Sequence, residues 1–227
     1  MNLDVQILKY FNDLASNSTY WYHLFNSLGN IELIIGVPVF ACLIYVAMSN
    51  FSAKTKSEVL LGLVGATICL VISLLCQTVF NSHLRPVFDS SLNINNVLKW
   101  DKTHWGNRLY SLPSDTATIF FSVSTIVFLQ NKKLGIACFF WNIITIGISR
   151  VALGIHYPSD ILAAFILSLV LVSLVTGIRP VQKWVAALLV KYDPHFNLYN
   201  ILLVLFCVEA YALFPGFQVI YNFLLKV

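Results

Sequence analysis

Ser149-Arg150-Val151-Ala152-Leu153-Gly154-Ile155-His156-Tyr157-Pro158-Ser159-Asp160 joins two long apolar runs, Leu134 to Ile148 and Pro158 to Gly177. Charged side chains at the mouth of apolar helices are costly to keep there without a use. Proline suits the first turn of a helix, so Pro158 marks a start. His156 and Asp160 are then one turn apart, within reach of each other. Such a contact fixes the imidazole tautomer and holds the other ring nitrogen outward as a nucleophile. Just upstream, the rigid donor fork of Arg150 is suited to gripping a phosphate. The plainer alternative is an interfacial arginine, a loop histidine and a carboxylate complementing a helix start.

Outward from this stretch, the chain is 58% hydrophobic and 11% charged, outside the range of ordinary soluble domains. Six apolar segments are expected to cross a bilayer: Ile31–Met48, Glu58–Phe80, Ser114–Leu129, Leu134–Ile148, Pro158–Gly177 and Asn200–Phe214. The third and fourth are short, which suits a helix sheltered by its neighbours. Leu3, Ile7, Leu8, Phe11 and Leu14 repeat at helical spacing beside Asp4, Lys9 and Asp13, the pattern of an interfacial amphipathic helix. Val181–Tyr192, with Lys183, Trp184 and Lys191, has the same character. The expected fold is all-α: an interfacial helix within residues 1–28 and a six-span bundle over residues 29–227, as one domain.

Several function classes drop out. No basic block or aromatic-interleaved basic face suits nucleic acid. All five cysteines (Cys42, Cys69, Cys76, Cys138, Cys207) lie in apolar runs without metal-ligand spacing, and read as small buried hydrophobes. The first residues, with Asp4, lack the basic-then-apolar start of a cleavable signal. With six crossings, Lys54, Lys56, Lys132, Lys133, Arg179, Lys183 and Lys191 share one side in short loops, which the positive-inside rule makes cytoplasmic. The Arg150–Asp160 stretch then faces the exterior or periplasm of a cell (inner) membrane.

Two more polar patches fall on that outer side: Asn81-Ser82-His83-Leu84-Arg85-Pro86 and Tyr110-Ser111-Leu112-Pro113-Ser114-Asp115-Thr116. Ser114 at a helix start would add its hydroxyl to backbone N–H groups aimed at an anion. Taken alone, Ser114-Asp115-Thr116 also reads as a plain N-cap. Together, two arginines, a helix-start serine and a carboxylate-backed histidine make a coherent phosphate site. The residues resemble the type-2 phosphatidic acid phosphatases, integral membrane relatives of the vanadium-dependent haloperoxidases. That family carries Lys-x6-Arg-Pro, Pro-Ser-Gly-His and Ser-Arg-x5-His-x3-Asp. The third motif is met in full by Ser149, Arg150, His156 and Asp160. The resemblance implies a membrane lipid phosphatase in which His156 forms a phosphohistidine, Asp160 orients it, and Arg85, Arg150 and Ser114 hold phosphoryl oxygens. It implies a phosphorylated membrane lipid as partner and neither metal nor cofactor, since arginines and a helix N-terminus supply the charge stabilisation.

The other motifs depart from the pattern. Thr78 stands at the lysine position of the first, and Asp115-Thr116 replace Gly-His in the second. The family's histidine there protonates the leaving group, which Thr116 cannot do. A lipid monoester expels a strongly basic alkoxide, whereas a diphosphate expels a phosphate monoester whose second pKa of about 6 lets it leave unassisted. The substitution therefore favours a lipid diphosphate such as a polyprenyl diphosphate, or phosphoryl exchange between lipids. Alternatively, a desolvated Asp115 serves as the acid, or His104 or His83 folds in from the outer loop. Trp100, Lys102, Trp105 and Arg108 in that loop suit the headgroup zone. Two non-enzymatic readings remain: a relative that binds phosphorylated lipid without hydrolysis, and an anion path. The lipid and the oligomeric state are left open by the sequence.

Overall fold

A computed structural model describes residues 3–49, 52–79, 83–99, 109–193, 195 and 197–211. Among these residues the chain is helical, with no strand beyond one isolated bridge between Leu84 and Tyr110. The helices are α1 (Leu3–Ser16), α2 (Thr19–Asn30), α3 (Glu32–Ser49), α4 (Ala53–Thr78), α5 (Asp115–Gln130), α6 (Lys132–Asn142), α7 (Ser149–Ala152), α8 (Pro158–Gly177), α9 (Arg179–Tyr192) and α10 (Asn197–Tyr211). Four helical stretches are long and apolar enough to cross a membrane: 19–49, 53–78, 132–152 and 158–177. Two shorter apolar helices, α5 and most of α10, accompany them.

The helix ends follow local chemistry. Ser52 caps α4 by accepting from the Thr55 N–H at 3.1 Å, and Asn131 caps α6 by accepting from Leu134 N–H at 3.2 Å. The α5–α6 turn is tight enough that a side chain at Gly135 would collide with the Phe128 backbone. Helices α4, α5 and α8 pack mutually, with α3 and α6 against α5 and with α9 along α4. Helix α5 has 16 residues, about 24 Å at 1.5 Å per residue, short of the roughly 30 Å hydrocarbon thickness. It is buried from Thr116 to Val127, so neighbouring helices shelter it. Its polar surface is met by those neighbours: Asn142 Nδ2 donates to Phe120 O and Ser124 Oγ, and Ser168 Oγ donates to Thr118 O.

Four expectations change. The first long apolar helix begins at Thr19 instead of Ile31, with α2 and α3 running nearly end to end. Helix α1 does more than lie at an interface. Its Leu8, Asn12 and Ala15 are buried, and it packs on α7 and α8. Asn12 ties it down, donating to Asn95 O and Ala152 O and accepting from the Asn95 N–H. The helix expected to end at Ile148 continues through a π-helical turn, Ile143–Ile148, into α7, so Arg150 stands on a helix and not in a loop. Hydropathy ends the run at Ser149-Arg150, but backbone hydrogen bonding does not depend on hydropathy. Lys56, expected among loop charges, is buried. Its Nζ donates to Ala47 O at 2.7 Å, at the end of α3, and lies 4.3 Å over the Tyr199 ring. The apolar tail beyond Tyr211, and Trp100, Lys102, His104, Trp105 and Arg108, lie outside the described residues.

Candidate active site

One end of the α4–α5–α8 core gathers the end of α4, the start of α5, α7 and the start of α8. Arg85 reaches this end on an extended segment paired with the chain before α5. Arg85 N–H donates to Leu109 O at 2.9 Å, and Ser111 N–H donates to His83 O at 2.7 Å. The residue before a proline is steered to extended conformation, and Arg85, before Pro86, has φ −56° and ψ 138°. Its side chain is 1% exposed. Nη1 lies 3.2 Å from His156 Nε2 and donates to Ile155 O at 3.4 Å.

Ser114 is the N-cap of α5, accepting from the Ala117 N–H at 3.4 Å. Its N–H donates to Asp160 O at 3.3 Å, which ties the start of α5 to the start of α8. Helix α4 braces the same turn: Ser73 Oγ and Gln77 Nε2 donate to Pro113 O at 2.9 and 2.6 Å. Sequence reasoning passed over Ser73 and Gln77. Their spacing of four on an otherwise apolar helix was the available signal, since such polar pairs share one face. Thr78, at the lysine position, donates its hydroxyl to Leu74 O of its own helix.

The π turn feeds directly into Ser149-Arg150, and such widened turns recur at functional sites. Ser149 Oγ donates to Ile144 O, five residues back. After α7 the chain reverses at Gly154, whose φ of +73° is a left-handed conformation that suits glycine. The reversal returns Ile155 N–H and His156 N–H to Arg150 O at 3.0 and 3.4 Å. The Arg150 guanidinium lies within electrostatic reach of both His156 and Asp115. Its Nε is buried with no hydrogen-bond partner among the described residues.

His156 is fully buried at the centre. Nδ1 lies 3.3 Å from Asp160 Oδ2, and Nε2 lies 3.2 Å from both Arg85 Nη1 and Ser114 Oγ. A guanidinium can only donate, so Nε2 is the acceptor and the proton sits on Nδ1, toward the carboxylate. The Nε2 lone pair therefore points at the arginine and the serine. Burial holds the His156 imidazole below its ordinary pKa, the charges of Arg85 and Arg150 add to that, and Asp160 opposes them. Near neutral pH the ring is uncharged and able to act as a nucleophile.

Asp160 is fully buried, and its Oδ2 also accepts from Tyr157 N–H at 2.9 Å. Asp4 of α1, 155 residues away in sequence, caps the same helix start, accepting from Ser159 N–H at 2.8 Å and Ser159 Oγ at 2.7 Å. His83 lies on the far side of the carboxylate, Nδ1 3.6 Å from Asp160 Oδ1. Asp115 is half-buried and accepts from Thr116 N–H at 2.8 Å, while Thr116 is buried. The structure thus brings together Arg85, Ser114, His156 and Asp160 by direct contact, with Arg150 and Asp115 adjoining and His83 behind Asp160.

Fold and site together define a helical membrane protein with a buried, histidine-centred polar site. Its sequence matches the PAP2 superfamily over residues 58–184, more than half of the chain, and the chain belongs to that family. Every contact residue just named except Asp4 falls in the matched region. The bacitracin transport permease protein BcrC of Bacillus licheniformis is 29% identical over 115 residues, 50% of this chain and 52% of the relative. The chain therefore spans about half the length of that relative. The lipid A 4′-phosphatase of Bacteroides thetaiotaomicron is 25% identical over 179 residues, 73% of this chain and 72% of the relative. No solved structure matches the chain.

Proposed function

We propose that this chain is a membrane lipid phosphatase that works through a phosphohistidine, with a lipid diphosphate as its preferred substrate. The observation that carries the reading is His156 Nε2, flanked by Arg85 Nη1 and Ser114 Oγ and backed through Nδ1 by Asp160. A phosphoryl group seated against the arginines displaces the Arg85 contact with the ring. Nε2 donates its lone pair to phosphorus, the bond from phosphorus to the bridging oxygen breaks, and that oxygen leaves with the electron pair. Asp160 balances the charge that develops on the imidazole, while Arg85, Arg150 and Ser114 stabilise the equatorial oxygens. Water then attacks the phosphohistidine and releases phosphate. A second phosphorylated lipid in place of water would give phosphoryl transfer.

Thr116 offers no general acid, and Asp115 is engaged with the Thr116 N–H and adjoins Arg150. These surroundings support a leaving group that departs unassisted, as the phosphate monoester from a lipid diphosphate does. The two shorter apolar helices complete six crossings in this reading, and the short basic loops put the site on the outer face.

The test is a panel of polyprenyl diphosphate, phosphatidic acid, phosphatidylglycerophosphate and lipid A phosphates, run with purified wild type and His156→Ala. The expected result is His156-dependent phosphate release, fastest from the diphosphate, with radiolabel trapped on His156. Faster turnover of phosphatidic acid would overturn the substrate preference. Tight binding without release would favour the second reading, a lipid-binding relative, which the threonines at positions 78 and 116 support.

A further inference from the structure

Asp160 uses one oxygen twice and leaves the other unmet. Oδ2 takes His156 Nδ1 at 3.3 Å and Tyr157 N–H at 2.9 Å. Oδ1 is buried without a hydrogen bond among the described residues. A buried carboxylate oxygen with no donor is expensive. Two side chains adjoin the carboxylate on this side: the Ser111 hydroxyl, which donates to His83 O at 3.2 Å, and the His83 imidazole, whose Nδ1 is 3.6 Å from Oδ1, a few tenths of an ångström beyond hydrogen-bond range.

His83 is held to this place from two directions. Its carbonyl accepts from Ser111 N–H at 2.7 Å and from Ser111 Oγ at 3.2 Å. Its ring lies against Tyr157, centroids 4.8 Å apart, in the turn between His156 and Pro158. Arg85 follows two residues later on the same extended segment, so one backbone piece delivers both side chains to the site. His83 remains 45% exposed, whereas His156 and Asp160 are fully buried.

We propose that His83 is a positioning residue of the active site, donating from Nδ1 to Asp160 Oδ1 so that the carboxylate is gripped by both oxygens. The inference rests on the phosphatase reading above. His83 lies across the carboxylate from Nε2, so it acts through Asp160 and not on the leaving group. With Oδ1 held, the carboxylate cannot swing, the His156 proton stays on Nδ1, and the Nε2 lone pair keeps its aim. The demand is greatest as His156 gains charge during phosphoryl transfer, so the effect falls on kcat and not on KM.

The test compares wild type, His156→Ala, His83→Ala, His83→Asn and His83→Gln on polyprenyl diphosphate in detergent micelles. His83→Ala should lose about tenfold in kcat at unchanged KM. Added imidazole should restore it through the exposed position. His83→Asn, whose amide nitrogen stands near the place of Nδ1, should retain most of the activity, whereas His83→Gln should not. A wild-type kcat in His83→Ala overturns the proposal, as does equal loss in Ala and Asn without imidazole rescue. A second readout needs no turnover: the rate of diethyl pyrocarbonate modification of His156, followed by mass spectrometry. It should fall in His83→Ala and recover in His83→Asn, and equal rates in all forms overturn the proposal. If wild type shows no His156-dependent turnover, the phosphatase reading falls, and the modification rates still decide the role of His83.

Discussion

At one end of α4, α5 and α8, Glu58 accepts from Gln182 Nε2 at 2.7 Å through one oxygen and from Gln130 Nε2 at 3.0 Å through the other, with Lys54 at 3.8 Å. At the opposite end, Asp160 leaves Oδ1 without a hydrogen bond, and Arg150 leaves Nε without one, among the described residues. Both clusters join the same core helices across many residues of sequence. The first is closed: each carboxylate oxygen has a donor, and the group works as a clasp between α4, α5 and α9. The second keeps one buried donor, Arg150 Nε, and one buried acceptor, Asp160 Oδ1, without hydrogen bonds around a neutral imidazole. Unmet buried polarity is costly, so it persists where a ligand completes it. In the function proposed above, a bound anion would give Arg150 Nε an acceptor, while Asp160 Oδ1 needs a donor.

The sharpest break of this contrast is His156→Ala beside Glu58→Gln. We expect the first to lose at least about 10³-fold in kcat with the fold retained, as loss of a nucleophile does. The second should keep kcat within about twofold. Comparable losses in both would erase the distinction between clasp and site. Next in size is Arg150→Lys, which keeps the charge but removes the fork, including the unmet Nε. A loss of about 10²-fold is expected in phosphate-release assays, and near-wild-type activity would mean that only charge counts there.

A pH–rate profile sharpens the comparison further. In the proposed mechanism His156 attacks in its neutral form and its pKa is held below the ordinary 6.5, so the acid limb of kcat/KM should lie below pH 6.5. Arg85→Gln should move that acid limb upward, because a positive neighbour is gone. The movement should be partial, since burial is the larger cause. A smaller effect on rate than from the site residues is expected from Asp4→Ala, which removes a helix cap worth about 1 kcal/mol and loosens α1 from the start of α8. A thermal melt and a kcat reduced about fivefold would agree with a tether. An unchanged melt would assign α1 no part in holding the site. Glu58→Gln, by contrast, should lower stability by about 1–2 kcal/mol with no effect on rate.

Much of this was legible in the residues because helical periodicity and hydropathy are local. The spacing of His156 and Asp160 by one turn, with Pro158 between them, was enough to expect their contact. Shortness pointed to shelter for one of the third and fourth segments, and the structure shows it to be α5. Other features were not. Arg150 on a helix depends on the π turn at Ile143–Ile148, and nothing in an apolar run distinguishes five-residue from four-residue hydrogen bonding. The Asp4–Ser159 cap and the Asn12 bridge join α1 to the site across 155 and 140 residues, and α1 lies outside the family match. Lys56 looked like a loop charge because its partners, Ala47 O and Tyr199, come from two other helices.

By itself, the sequence determined that this is a helical membrane protein and led to the expectation that its histidine, aspartate, serine and arginines gather at one site, because each element carries its own periodicity, cap or motif. Only the tertiary structure decided which nitrogen of His156 is presented, that Asp160 Oδ1 is without a hydrogen bond among the described residues, and that His83 lies beside it. Those outcomes depend on where three extended or turning segments meet across tens of residues, and ångström-scale distances between distant segments are written in no local pattern.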